Sequence, residues 1–196
     1  MSCSFPSLAV TPDELKTEFS ESYAAGTRSV YGVSLTQDQL NAVASAVADF
    51  KNTYIKDEMS EEEKIRTIHS FLCDTVSFAS SWKEHSANTA YGALVNHTAQ
   101  CSGFARAFKA LCDASGIECY YVHADENAIN PSHQWNIVRY GDQYYHMDVQ
   151  VNALGEDALY LSNYHPCSYN TDMYPQISSN NANVKRYAAG DGPYKK

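Results

Sequence analysis

Apolar residues recur at helical spacing in the first half of the chain and at two-residue alternation in the second. Leu40, Val43, Ala44, Val47 and Phe50 share one helical face behind Thr36-Gln37-Asp38-Gln39, which reads as a capping box. Ile65, Ile68, Leu72 and Val76 form a second stripe behind Ser60-Glu61-Glu62-Glu63. The acids of that opening suit the positive end of a helix dipole and are expected to face solvent. Thr11-Pro12-Asp13-Glu14 predicts an earlier helix with Pro at its first position. A further helix is predicted from Cys101 to Ala114, ended by Ser115-Gly116. Three runs then read as strands: Ile117 to Ala124, His133 to Tyr140 and Gln143 to Val149, with Ala158 to Ser162 a candidate for one more. From Asn163 onwards Tyr, Asn and Ser, punctuated by Pro166 and Pro175, predict an irregular wrap over the core. Helices followed by an antiparallel sheet make the class α+β.

Charge and composition narrow the functions this pattern can serve. The chain has 196 residues, with 14 Lys+Arg against 23 Asp+Glu and a net charge of −9, so a phosphate-gripping nucleic-acid binder is excluded. No apolar run reaches the roughly 18–20 residues of a membrane span. The six cysteines (Cys3, Cys73, Cys101, Cys112, Cys119 and Cys167) form no C-x-x-C pair, which argues against a disulfide scaffold or a zinc knuckle. The first residues lack the basic start and apolar stretch of a signal peptide. Even so, the abundance of Tyr, Ser and Asn favours a domain of an exported, extracytoplasmic protein over a cytoplasmic one.

Cys101 is set apart by its address. It opens the predicted helix, where unpaired N–H groups and partial positive charge favour a thiolate and can hold an oxyanion. Phe104, Phe108 and Leu111 share its stripe, so the thiol is expected to point towards the body of the domain. A small buried hydrophobe is the competing reading of any free cysteine. Cys112 lies deep in the same helix, and with Cys73 and Cys119 it is expected to be core packing.

The last two strands are joined by Gly141-Asp142, a two-residue turn that fixes their register. Tyr140 then faces Gln143, Trp135 faces Asp148, and His133 is a diagonal neighbour of Asp148 on the same sheet face. A carboxylate beside an imidazole fixes its tautomer and supports its protonated form. Periodicity alone leaves open which sheet face the Cys101 helix covers. His146 falls on the face of Asp148, so a metal set of His133, Asp148 and His146 is a competing reading, but it lacks a recognisable zinc spacing. His69 and His123 are expected to be structural histidines, and the glycosylation-like Asn96-His97-Thr98 carries no weight.

Several motifs in series resemble the transglutaminase-like superfamily of papain-related folds, in its bacterial single-domain branch. They are Glu63-Lys64-Ile65 with Ile68-His69, Thr89-Ala-Tyr91-Gly92-Ala-Leu94, Cys101-Ser-Gly103-Phe-Ala105, Gly116-Ile117, His133-Gln-Trp135-Asn136 and Tyr144-Tyr-His-Met-Asp148-Val149. The resemblance implies a nucleophile at the start of a central helix packed on an antiparallel sheet, with Cys101 as nucleophile, His133 as base and Asp148 as its orienting acid. It also implies that helix and hairpin meet. An upstream oxyanion donor is expected from Tyr91, Gln100 or Trp82, and Trp135 either walls the acyl pocket or packs the core. Gln134 stands where the family usually has a small residue, and Gln150-Val151-Asn152 replaces a Thr-Trp-Asp common there. Residues 1–59 are expected to be a helical extension and 60–196 the catalytic domain. The implied activity is thioester acyl transfer on peptide or side-chain amides of a protein substrate, without metal or organic cofactor, with the cell surface or wall as the expected place of action. Hydrolysis is preferred over amine transfer (a transglutaminase), and a non-catalytic binding module that keeps the fold is the alternative.

Overall fold

The computed structural model describes residues 31–32, 35–81, 84, 86–123, 132–141 and 143–154. The helix expected at Thr11, the strand expected at Ala158 and the tail from Asn163 lie outside these residues, as do Cys3, Trp82 and Cys167. Helix α1 (Gln37–Tyr54) and helix α2 (Glu61–Thr75) both start with complete capping boxes, Thr36 with Gln39 and Ser60 with Glu63. Leu40, Val43, Ala44, Val47 and Phe50 on α1 and Ile65, Ile68 and Leu72 on α2 are buried, as their spacing predicts. The acids that open α2 do more than meet water. Tyr140 donates to Glu62 and the Gly141 N–H to Glu61, each at 3.2 Å, so the helix start grips the turn of a distant hairpin.

Strand β1 (Ser77–Phe78) pairs in parallel with β2 (Thr98–Ala99), and helix α3 (Ala90–Leu94) lies between them in sequence. None of these three elements shows in the hydrophobic pattern, because two- and five-residue segments are too short to display a period. Thr89 caps α3 by accepting from the Gly92 N–H. Helix α4 (Cys101–Ala114) is buried on nearly every side and is the centre of the fold. It ends at Gly116, whose φ of 75° is the left-handed conformation that glycine permits.

Strands β3 (Cys119–His123), β4 (Gln134–Tyr140) and β5 (Gln143–Met147) form an antiparallel sheet in that order. Tyr140 pairs with Gln143 and Asn136 with Met147, the register that the two-residue turn predicts. The last strand is shorter than the alternation implied: it stops at Met147, and residues Val149–Ala153 form helix α5. Asp148, a residue type that favours the position just ahead of a helix, marks the switch. Helix α4 packs on β3 and β4, with α2 and α5 against it. Asn136 defines the covered face, because its Nδ2 donates to the Ala105 carbonyl of α4 at 2.9 Å and to the Tyr120 carbonyl of β3 at 3.2 Å.

Candidate active site

The start of α4 is built by close backbone approaches. The Ala79 N–H donates to the Ala99 carbonyl at 2.8 Å, and the Gln100 N–H donates to the Ala87 carbonyl at 2.7 Å. A Cβ on Gly103 would meet the Ala87 oxygen at 2.3 Å, and one on Gly92 would meet the Ser86 oxygen at 2.1 Å. The two motif glycines therefore let the 86–89 loop lie against α3 and α4. Gln100 is the N-cap, in extended conformation, and its side chain gives no capping hydrogen bond. The first-turn N–H groups of α4 consequently lack a side-chain acceptor from their own cap, and Cys101, half-buried, stands among them.

His133 immediately precedes β4 and Asp148 immediately follows β5, so the hairpin carries both at its open end. Both are buried, and His133 Nε2 lies 2.6 Å from Asp148 Oδ2. Cys101 is near enough to the same imidazole to help hold its charge. With Nε2 bonded to the carboxylate, Nδ1 is the nitrogen left for sulfur. Burial pulls the His133 pKa down, but the Asp148 hydrogen bond and the nearby Asp148 and Cys101 outweigh it and hold the value at about 9. Helix start and hairpin thus meet, with imidazole between thiol and carboxylate.

Trp135 stacks on His133, the ring centroids 5.8 Å apart and the planes 18° from parallel. At 1% exposure it is a platform for the imidazole, with no open face to wall a pocket. Its indole N–H donates to His146 Nδ1 at 2.8 Å, so a neutral His146 carries its own proton on Nε2. Burial pushes the His146 pKa down to about 3. His133 and Asp148 are engaged with each other and His146 with Trp135; no group of three metal-ligating side chains converges among the described residues.

The oxyanion candidates separate less sharply. Gln100 is adjacent to Cys101 as its N-cap, whereas Tyr91 packs half-buried against the hydrophobic core from α3. Trp82 is outside the described residues. Gln134 is half-buried on β4 and Gln150 is buried on α5. Cys112 and Cys119 are buried free thiols; burial lifts the pKa of Cys112 well above the ordinary thiol value and that of half-buried Cys73 to about 11. His69 lies against Cys73 one helical turn away. Asn96 donates to Ser86 Oγ at 2.8 Å, a structural use of the glycosylation-like motif.

Two positions near the site were not singled out from sequence. Asn136 ties hairpin to helix, and an amide between the apolar Trp135 and Ile137 was the available signal. Arg106 lies on the second turn of α4, where an arginine reads as an ordinary surface residue.

The model of the Transglutaminase-like superfamily matches residues 48–149, just over half of the chain. The chain belongs to the transglutaminase-like superfamily. That match spans α2, α4 and the hairpin, ending next to Asp148. No curated protein matches the chain. Among solved structures, one described as a TGase is 13% identical with a TM-score of 0.51, over 78% of this chain and 42% of its own. A candidate cysteine protease from Cytophaga hutchinsonii is 19% identical over 53% of this chain and 36% of its own, with a TM-score of 0.43. Legionella pneumophila LapG is 9% identical over 76% and 74%, with a TM-score of 0.45. The chain therefore spans well under half the length of the first two. Likeness at these identities concerns the fold.

Proposed function

We propose that this member of the superfamily is a cysteine-dependent acyl-transfer enzyme in which Cys101 is the nucleophile, His133 the base and Asp148 the orienting acid. The observation that carries the reading is one buried imidazole hydrogen bonded to Asp148, with Cys101 at the uncapped start of α4 close enough to support its charge. Sulfur attacks the carbonyl carbon of a peptide bond or side-chain carboxamide while His133 takes the thiol proton. The oxyanion is held by N–H groups at the start of α4. Collapse of the tetrahedral intermediate breaks the C–N bond, and His133 passes the proton to the departing amine or ammonia. The resulting thioester is resolved by water in a protease or amidase and by an amine in a transglutaminase. Hydrolysis is favoured, because half-exposed Cys101 leaves its acyl sulfur within reach of solvent. The substrate is a protein or peptide, and a composition rich in Tyr, Ser and Asn supports an exported protein acting at the cell surface or wall.

Iodoacetamide at pH 6 tests the nucleophile. Cys101 is expected to be alkylated at least about ten-fold faster than Cys73, with the advantage lost in His133→Ala. Equal, slow labelling of every thiol would support a binding module without catalysis and sink the enzyme. A mixed peptide library with a primary-amine probe then separates cleavage, deamidation and amine incorporation by mass.

A further inference from the structure

Arg106 is a cation that no carboxylate answers among the described residues. The other buried or paired cations each have one: Lys109 with Asp113, Arg66 with Glu62 and Arg139 with Glu118. Arg106 instead donates through Nη1 to the Asn88 carbonyl, and its Cζ sits 4.9 Å from the centroid of the Tyr121 ring. Its Nε is buried without a hydrogen-bond partner. Tyr121 cannot serve as counter-ion, since burial lifts its hydroxyl pKa to about 12. The guanidinium is half-buried, with Nε shut in and no carboxylate beside it, and a charge so placed favours an anion at its accessible side.

The lean of helical side chains, the Asn88 contact and the influence of Cys101 agree in placing the guanidinium towards the Cys101 end of the helix. A helical side chain leans towards the N-terminus, so Arg106 reaches back over the turn that Cys101 opens. Asn88 follows Ala87, whose carbonyl holds the Gln100 N–H. Arg106 is also close enough to feel the charge of Cys101, which opposes the lowering of its pKa by burial.

We propose that Arg106 forms an anion-recognising subsite beside Cys101, selecting acyl donors that carry a carboxylate close to the amide they present. The planar fork suits a carboxylate, and Nη2 is the terminal nitrogen with no hydrogen bond to the described residues. The subsite is a local exception on a chain of net charge −9. It rests on the acyl-transfer reading above, as the specificity of the same site.

Paired alkylating probes test it on the full chain. The ratio of iodoacetate to iodoacetamide rates at Cys101 is expected to exceed that at Cys73 in the same molecules. It should fall about five-fold in Arg106→Gln, which keeps a donor for Asn88, and recover in Arg106→Lys, which keeps the charge. A ratio at Cys101 no higher than at Cys73, or one unmoved in Arg106→Gln, overturns the subsite. The first comparison needs no variant, so misfolding of a substituted chain leaves the proposal exposed to refutation. Chloroacetyl-glycine and chloroacetyl-glutamic acid amide, each against its neutral amide, tell a terminal carboxylate from an acidic side chain; preference for either supports the subsite and for neither defeats it. The iodoacetamide rate alone reports on the nucleophile, so failure of the two readings is distinguishable.

Discussion

His133 is held between opposing pulls: burial disfavours its charge, and a carboxylate and a sulfur restore it. Removing one pull predicts the direction of the change. In Asp148→Asn the hydrogen bond survives in form but the negative charge goes, so the His133 titration should fall from about 9 towards the ordinary 6.5 or below. Imidazole NMR across the pH range checks this; a midpoint that stays near 9 would mean that Asp148 is not what holds the proton. The same substitution should slow Cys101 alkylation, because the imidazole loses its fixed tautomer. Trp135 contributes here as a flat surface that limits how the ring can turn, a role that its position on the strand announced only as far as its face.

At the scale of elements, α4 does two jobs along one length. Its first turn presents Cys101, and its last turns bury Lys109, which is 2% exposed and donates to both Asp113 oxygens at 2.8 and 2.9 Å and to the Cys119 carbonyl at 3.0 Å. Tyr31 donates to Asp113 at 2.6 Å, drawing the segment before α1 onto the same cluster. Asp113→Ala strands a buried ammonium and should cost about 3–5 kcal/mol, whereas Lys109→Met leaves only the partly exposed carboxylate and should cost less. Urea unfolding of the two variants checks the order; equal losses would show that the cluster is a surface pair in effect. The i, i+4 spacing of Lys109 and Asp113 was visible in sequence, but spacing says nothing of burial. The starts of α1 and α2, by contrast, were legible because capping boxes mark them, and both ends of α4 were legible, with Ser115-Gly116 marking its close; no such signal marks the ends of α1 and α2. The hairpin register was legible because a two-residue turn admits one pairing. The switch into α5 was not, since Met147-Asp148-Val149 continues the alternation of a strand while its backbone turns helical. The side of the sheet that α4 covers was equally hidden, because each face of β4 mixes apolar and polar residues; Asn136 decides it by a contact, not by a pattern.

For the whole molecule, the two buried histidines bound the pH range of stability from opposite sides. His146 has its pKa lowered to about 3. Below the unfolded value of about 6.5 the unfolded chain binds a proton that the native state refuses, so stability present above that pH is lost as pH falls towards 3. His133 has its pKa raised to about 9, so its contribution is full below about 6.5 and disappears as pH rises through 9. Each limb is on the order of 3–5 kcal/mol, and together they predict greatest stability near pH 6–7. Denaturation midpoints across pH should show both limbs, with His146→Gln flattening the acid one and His133→Gln the alkaline one. An acid limb that persists in His146→Gln would assign it to carboxylates instead. No helix among the described residues is long and apolar enough to cross a membrane.

The hairpin is fastened at its turn to α2 through Glu61 and Glu62, and midway to α4 through Asn136. His133 and Asp148 ride on it together, while Cys101 belongs to the helix. Any sliding of hairpin against helix alters the distance from sulfur to imidazole and leaves the distance from imidazole to carboxylate unchanged. A displaced hairpin would therefore keep its histidine oriented by Asp148 while giving up the share of its charge that Cys101 supports.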